Sequence, residues 1–511
     1  MNPRSRREFF GQMSGGMLVA TLGPALAAEF GFAPRFVQDP GDRLHFGELE
    51  PLVALLQESP LEKLQPALVD KLRAGTELGA LVAAAALANA RTFGGEDYIG
   101  FHCEMALMPA YAMATKMPGK LQPLPVLKVL YRNTQRIHDF GGPRKEVLHR
   151  VEPGERSADR SGDRLRACLR DADKQGAERA FAAQTDPEAA FGDVLQLVQD
   201  DPADIHRIAL AWRAWDTLRL VGMQHANTML RQSVRYCVDW EQDRVRRGVA
   251  EPEFRSLLPR LLEEHRLLES EPAPRKADDA WIEALSRTIF GSSRAQAAAA
   301  VAAALAEGFA PEDLGEAMSL AANRLLRNDP GVKKNPTAEK PLGSVHGATV
   351  GLHASDAANA WRHVARFGER RNRVACLIAG AYHTAGQSHL VGAEPFHPAI
   401  GQDAATKDPA ALLRETEARI REQDQAGASG LVERYGKLGH DAAPMFDLLL
   451  KYGVGADGAL HAEKYFLTVA EEFAAARPRF RWNHLVGLAR VTVSEQTIPA
   501  PGLAQARELL A

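Results

Sequence analysis

The spacing of apolar residues constrains this chain more than any other feature. From Leu52 to Leu72 they recur at steps of three and four, the period of one helix face. Leu78 to Ala90 is almost wholly apolar, which predicts a helix buried on all sides. Ile208 to Trp240 reads as one long helix or two stacked ones, and Asp313 to Leu326 opens with an acidic first turn after Pro311. Strand alternation is scarce, and Arg490 to Val493 is too short to count. Aromatic residues make up only 7% of the chain while Ala and Leu are abundant, a mixture that suits helices. The expected fold class is all-α.

At 511 residues the chain is too long for one simple core. Three charged or Pro/Gly-rich stretches read as connections: Glu152 to Gly176, Leu268 to Asp278 and Asn328 to Gly343. The second divides the chain into an N-terminal helical half, 28–270, and a C-terminal one, 280–511. The halves repeat at an offset of about 240 residues. Leu78-Gly79 and Leu314-Gly315 each open a helix that contains Ala-Asn, at Ala88-Asn89 and Ala322-Asn323. Gly100-Phe101-His102 then matches Ser344-Val345-His346. His138 follows His102 by 36 residues, and His383 follows His346 by 37. Gly222 to Ala226, with His225, parallels Gly458 to Ala462, with His461. Two related multi-helix halves from an internal duplication, packed face to face, are therefore expected.

The N-terminus reads Ser5-Arg6-Arg7-Glu8-Phe9-Phe10, followed by a weakly apolar stretch from Met13 to Ala25 and a small-x-small site at Ala25-Leu26-Ala27. This is the pattern of a twin-arginine signal peptide over residues 1–27. It predicts the twin-arginine translocase as a partner and a periplasmic mature protein. No later run reaches the roughly 20 apolar residues needed to span a bilayer. A net charge of −3 without a basic field argues against a nucleic-acid partner. Cys103, Cys168, Cys237 and Cys376 form no CxxC pair and read as buried free thiols ahead of disulfides.

The repeated histidines are the chemical signal. His102, His138, His225, His346, His383 and His461 form a candidate ligand set for Fe, Cu or Zn, because neutral imidazole is a common ligand of these metals. Four of them, His102, His138, His346 and His383, are expected to converge between the halves. His346 and His353 are seven residues apart and share a helix face, with Asp356 one turn beyond, so His346, His353 and His383 are the catalytic candidates. Glu104, Asp139 and Asp356 are carboxylates able to complete a shell or orient a ring. HExxH and the paired ExxH of di-iron bundles are absent. The competing account of each histidine is structural, as a helix cap or a bond to a buried carbonyl. Trp212, Trp215 and Trp361 are expected to pack in the core.

Val345-His346-Gly347-Ala348-Thr349, with Leu352-His353-Ala354 and Ala357 to Trp361, resembles a histidine-bearing helix of questin oxidase-like proteins. Those are helical oxygenases that open polycyclic phenolics by Baeyer–Villiger-type chemistry, so the resemblance implies oxidation. The stretch from Leu485 to Leu510 resembles exported proteins of planctomycete-type bacteria, which implies a compartment and no activity. The reading that results is an exported helical oxidoreductase, histidine-dependent and metal-binding, acting on a small organic substrate. The alternative is a non-catalytic helical scaffold that binds a partner in the periplasm.

Overall fold

The structure is a computed structural model that describes residues 42–154, 161–269, 272–337, 341–345, 350–396, 406–496 and 498–511. The signal segment 1–27, His346 and His397-Pro398 lie outside the described residues. Among these residues the chain forms 22 α-helices and no β-strand, with three isolated bridges such as Arg275 to Phe309. No described helix is long and apolar enough to cross a membrane.

Eleven helices build the centre. In the first half they are α1 (Leu78–Phe93), α2 (Tyr98–Ala114), α3 (Leu124–Phe140), α4 (Ile205–Val221) and α5 (Ala226–Arg246). In the second they are α6 (Asp279–Gly291), α7 (Pro311–Asn328), α8 (Val350–Val364), α9 (Arg370–Ala385), α10 (His461–Ala475) and α11 (Arg481–Glu495). The stretch 208–240 is two helices, parted at Gly222, whose φ of 96° no β-carbon-bearing residue adopts easily.

Helix propensity and burial agree in α1. Its alanines remove every side-chain obstacle to close packing, and it is buried from Leu81 to Phe93 before Gly94 ends it in a left-handed cap. α7 and α8 cross at equally short range: a Cβ on Gly351 would lie 2.2 Å from the Leu326 Cα.

The two halves repeat a packing pattern. α1, α2 and α3 contact one another as α7, α8 and α9 do, and α4 packs on α5 as α10 packs on α11. Across the divide, α2 meets α10 and α8 meets α4. Within each half, α2 meets α4 and α8 meets α10. These four helices thus close a bundle to which each half contributes two members. Trp212 on α4 stacks on His363 of α8 at 4.6 Å, and His363 Nε2 lies 2.9 Å from Glu471 of α10, tying three of the four together.

A buried ion pair ties α3 to α10. Lys128 of α3 lies 2.6 Å from Glu463 of α10, with both side chains fully buried. Its Nζ also donates to the carbonyls of Gly453, at 3.1 Å, and Ala456. All four cysteines are free thiols.

Candidate metal centre

Each helix of the central bundle brings one histidine to its first turns. His102 is the fifth residue of α2, His206 the second of α4, His353 the fourth of α8 and His461 the first of α10. Local structure fixes each of them. Asp97 caps α2 by accepting from Gly100 N at 2.7 Å and is itself held by Arg136. Asp204 caps α4 and accepts from the backbone N–H of His206 at 3.2 Å. Before α10 the chain passes through three left-handed residues, Gly458, Ala459 and Leu460. Two of these carry side chains, so the turn that aims His461 stores backbone strain.

The imidazoles meet in a closed ring. Centroids are 5.1 Å apart for His102 and His206, 5.8 Å for His206 and His353, 5.0 Å for His353 and His461, and 5.4 Å for His461 and His102. The ligand nitrogens of His102, His353 and His461 lie within 4.8 Å of one another. All four rings are buried, none more than 9% exposed.

Hydrogen bonds decide which nitrogens face inward. His102 Nδ1 lies 2.7 Å from the Tyr98 carbonyl, His206 Nδ1 3.0 Å from Asp204 Oδ1, and His461 Nδ1 3.3 Å from the Gly458 carbonyl. Each partner only accepts, so each Nδ1 carries the proton and each Nε2 presents a lone pair. The Nε2 atoms of His102 and His206 are buried with no hydrogen-bond partner. His461 Nε2 faces His353 Nε2 at 3.2 Å, a contact that needs a shared proton or a cation.

The surroundings favour the neutral form of His102. Burial pushes the His102 pKa well below 6.5, and the charges of Lys464, His206 and His353 push the same way. Four helix N-termini converge there, and their dipoles also oppose imidazolium. Burial drives Asp204 upward, but His206, Arg207 and the Tyr236 hydroxyl outweigh it and hold it well below the usual carboxylate range. Tyr236 donates to Asp204 Oδ2 at 2.8 Å. One wall is aromatic: Tyr98 and Phe101 lie 5.4 and 5.3 Å from His206, backed by Tyr236.

One turn further along the bundle sits a charged layer. Lys464 follows His461 by one turn, and burial lowers its pKa to about 8 against the pull of Asp356, Glu495 and Glu463. Burial raises Asp356, which accepts from Thr468 Oγ1 at 2.6 Å. Glu104 on α2 is pushed up to about 8 by burial and is a neutral acid at pH 7.

The expected ligand set is brought together only in part. His102 and His461 join the ring, as does His353, which the sequence suggested as catalytic. His138 does not: it ends α3 with its Nε2 on the Gln57 carbonyl at 3.1 Å, the structural role of a histidine at a helix end. His225 does not: it is half-buried and packs edge-on against Phe46 at 5.7 Å. His383 is buried within the electrostatic reach of Asp204 and His206, with its pKa lowered to about 4 by burial and Arg294, yet it is not part of the converging set.

His206 was missed. Its signal is Asp204-Ile205-His206, an N-cap two residues before a ring that bonds back to it. Helix order places His353 opposite His102 and His461 opposite His206, where sequence matching had chosen His346 and His225.

Compared with known protein families, with curated proteins and with solved structures, the chain matches none.

Proposed function

We propose that the four-histidine ring binds one transition-metal ion and that the protein is an exported, metal-dependent oxidoreductase acting on a small organic substrate. The observation that carries this reading is the orientation of the Nε2 atoms. Two are buried without partners, and the other two face each other at 3.2 Å. Leaving the His102 and His206 nitrogens unpaired costs on the order of 1–3 kcal/mol each, and a cation at the centre gives both a partner while also accepting the lone pairs of His353 and His461. Metal–imidazole bonds of about 2.0–2.1 Å require only small inward movements of the His102, His353 and His461 nitrogens, which lie within 4.8 Å of one another, with His206 beside them as the fourth ligand.

The donor set suits Fe, Cu or Zn. Fe or Cu would supply electron transfer or dioxygen chemistry. The chain's own residues do the rest. Asp204 and the Tyr98 and Gly458 carbonyls fix the rings in the ligating tautomer. The bundle shields the centre from bulk water, and the Tyr98 and Phe101 wall offers an apolar face beside it. The resemblance of Leu352-His353-Ala354 to questin oxidase-like helices points toward oxidation, and the twin-arginine pattern suits a protein loaded before export.

The test is elemental analysis of protein purified after export through its own signal. About one Fe or Cu per chain, lost when His206 and His461 are both replaced by Ala, supports the proposal. One Zn with no affinity for Fe or Cu overturns the redox reading while keeping the site. No metal, even after reconstitution, overturns both and leaves the scaffold account.

A further inference from the structure

We propose that the cleft between α6, α7 and the start of α11 is a binding site for a small carboxylate with a flat apolar body. The cleft encloses about 430 Å³, room for a molecule of one or two fused rings. It does not rest on the metal reading, because its floor and walls are different residues.

A serine and two arginines of its lining carry polar atoms without a partner. Ser286 on α6 is fully buried, and its hydroxyl has no partner. Arg324 and Arg327 on α7 each carry a buried Nε with no partner, and among the described residues neither guanidinium is in an ion pair. Arg327 is held in place by donating to Asn483 Oδ1 at 3.0 Å. Arg324 and Arg327 thus line a cleft whose own carboxylates form an ion pair with neither of them among the described residues, and a carboxylate supplies two acceptor oxygens in the planar arrangement that guanidinium groups favour.

The nearby carboxylates do not fill this role. Glu283 is taken by Arg287 at 2.5 Å and lies 3.5 Å from Arg479. Glu394 is exposed at the rim. Burial and the like charges of Arg287 and Arg327 lower the Arg324 pKa, and the charge of Glu283 offsets only part of this.

The remaining lining selects the body of the ligand. Phe290, Leu320 and Phe480 line the same cleft, and the Arg324 guanidinium sits over the Phe290 ring at 5.8 Å. Such walls exclude a small hydrated ion and reward a ring system.

The experiment is calorimetric titration of the full chain with 2-naphthoate, inorganic phosphate and the neutral isostere 2-naphthylmethanol. The expected result is saturable 1:1 binding of 2-naphthoate, with both other probes at least about tenfold weaker. Arg324→Gln should weaken 2-naphthoate by about tenfold or more, the scale of a lost charge-assisted bond. Glu394→Gln, at an exposed position, should tighten it by removing a like charge from the rim. That variant keeps the test open if Arg324→Gln fails to fold. Phosphate binding as tight as 2-naphthoate would overturn the assigned ligand class. Equal affinity for 2-naphthylmethanol, or 2-naphthoate binding unchanged in both variants, would overturn the site.

Discussion

Replacing Lys128 by Met should destabilise the protein by about 3–5 kcal/mol, the cost of leaving a buried charge without its partner. At 2.6 Å the attraction between Lys128 and Glu463 amounts to about 6 kcal/mol at an effective dielectric of 20. Much of that is cancelled by desolvating two fully buried groups, so the net worth of the pair is small. The single variant removes the attraction and keeps the desolvated carboxylate. It also orphans the carbonyls of Gly453 and Ala456, both supplied with a donor by Lys128. The double variant Lys128→Met, Glu463→Leu removes both charges and should recover the part of the loss due to the unpaired carboxylate, while the two carbonyls stay without their donor. Urea unfolding at pH 7, followed by far-UV circular dichroism, reads both effects as shifts in midpoint. Glu463 lies two residues beyond His461, so the single variant should also retain less metal. A cost below about 1 kcal/mol, or a double variant no better than the single, would refute this reading of how α3 holds α10.

Three further outcomes follow from the same structure. Burial holds His383 and His484 near a pKa of about 4 against an ordinary 6.5, so the unfolded chain binds more protons between those values. Stability should therefore be fully present above pH 6.5 and fall as the pH drops toward 4, by about 3 kcal/mol for each histidine; thermal melts from pH 7 to 4.5 should show a slope that His383→Gln and His484→Gln each flatten. Gly351→Ala should be severely destabilising or abolish folding, because its Cβ would collide with the α7 backbone at Leu326, and a variant with wild-type melting would contradict the crossing. Replacing Arg6 and Arg7 by Lys should retain the precursor in the cytoplasm, as cell fractionation would show, and continued export would exclude the twin-arginine route.

The fold class was legible because Ala- and Leu-rich segments with three- and four-residue periodicity leave little alternative to helices. The apolar run from Leu78 became α1, and the Pro311 and acidic-turn signal became the start of α7. The site was half legible. His102, His353 and His461 were all singled out, but the ring is assembled by tertiary packing of four helix starts, which no spacing within the chain encodes. The Gly-x-x-His match misled because both copies precede a helix, yet His225 precedes α5 and His461 begins α10, and these helices occupy different places in the bundle. His138 misled for another reason. Its position at the end of α3 followed from the helix pair, but the direction of its ring, toward Gln57, did not.

Four imidazoles from four helices are proposed to share one metal ion. X-ray absorption at the metal edge of the loaded, full-length protein tests it most directly. Three or four imidazole nitrogens at about 2.0–2.1 Å, with the multiple-scattering pattern of histidine rings and one fewer ring in His206→Ala, are predicted. A first shell dominated by oxygen or sulfur, or one unchanged by replacing His102, His206, His353 or His461, would contradict it.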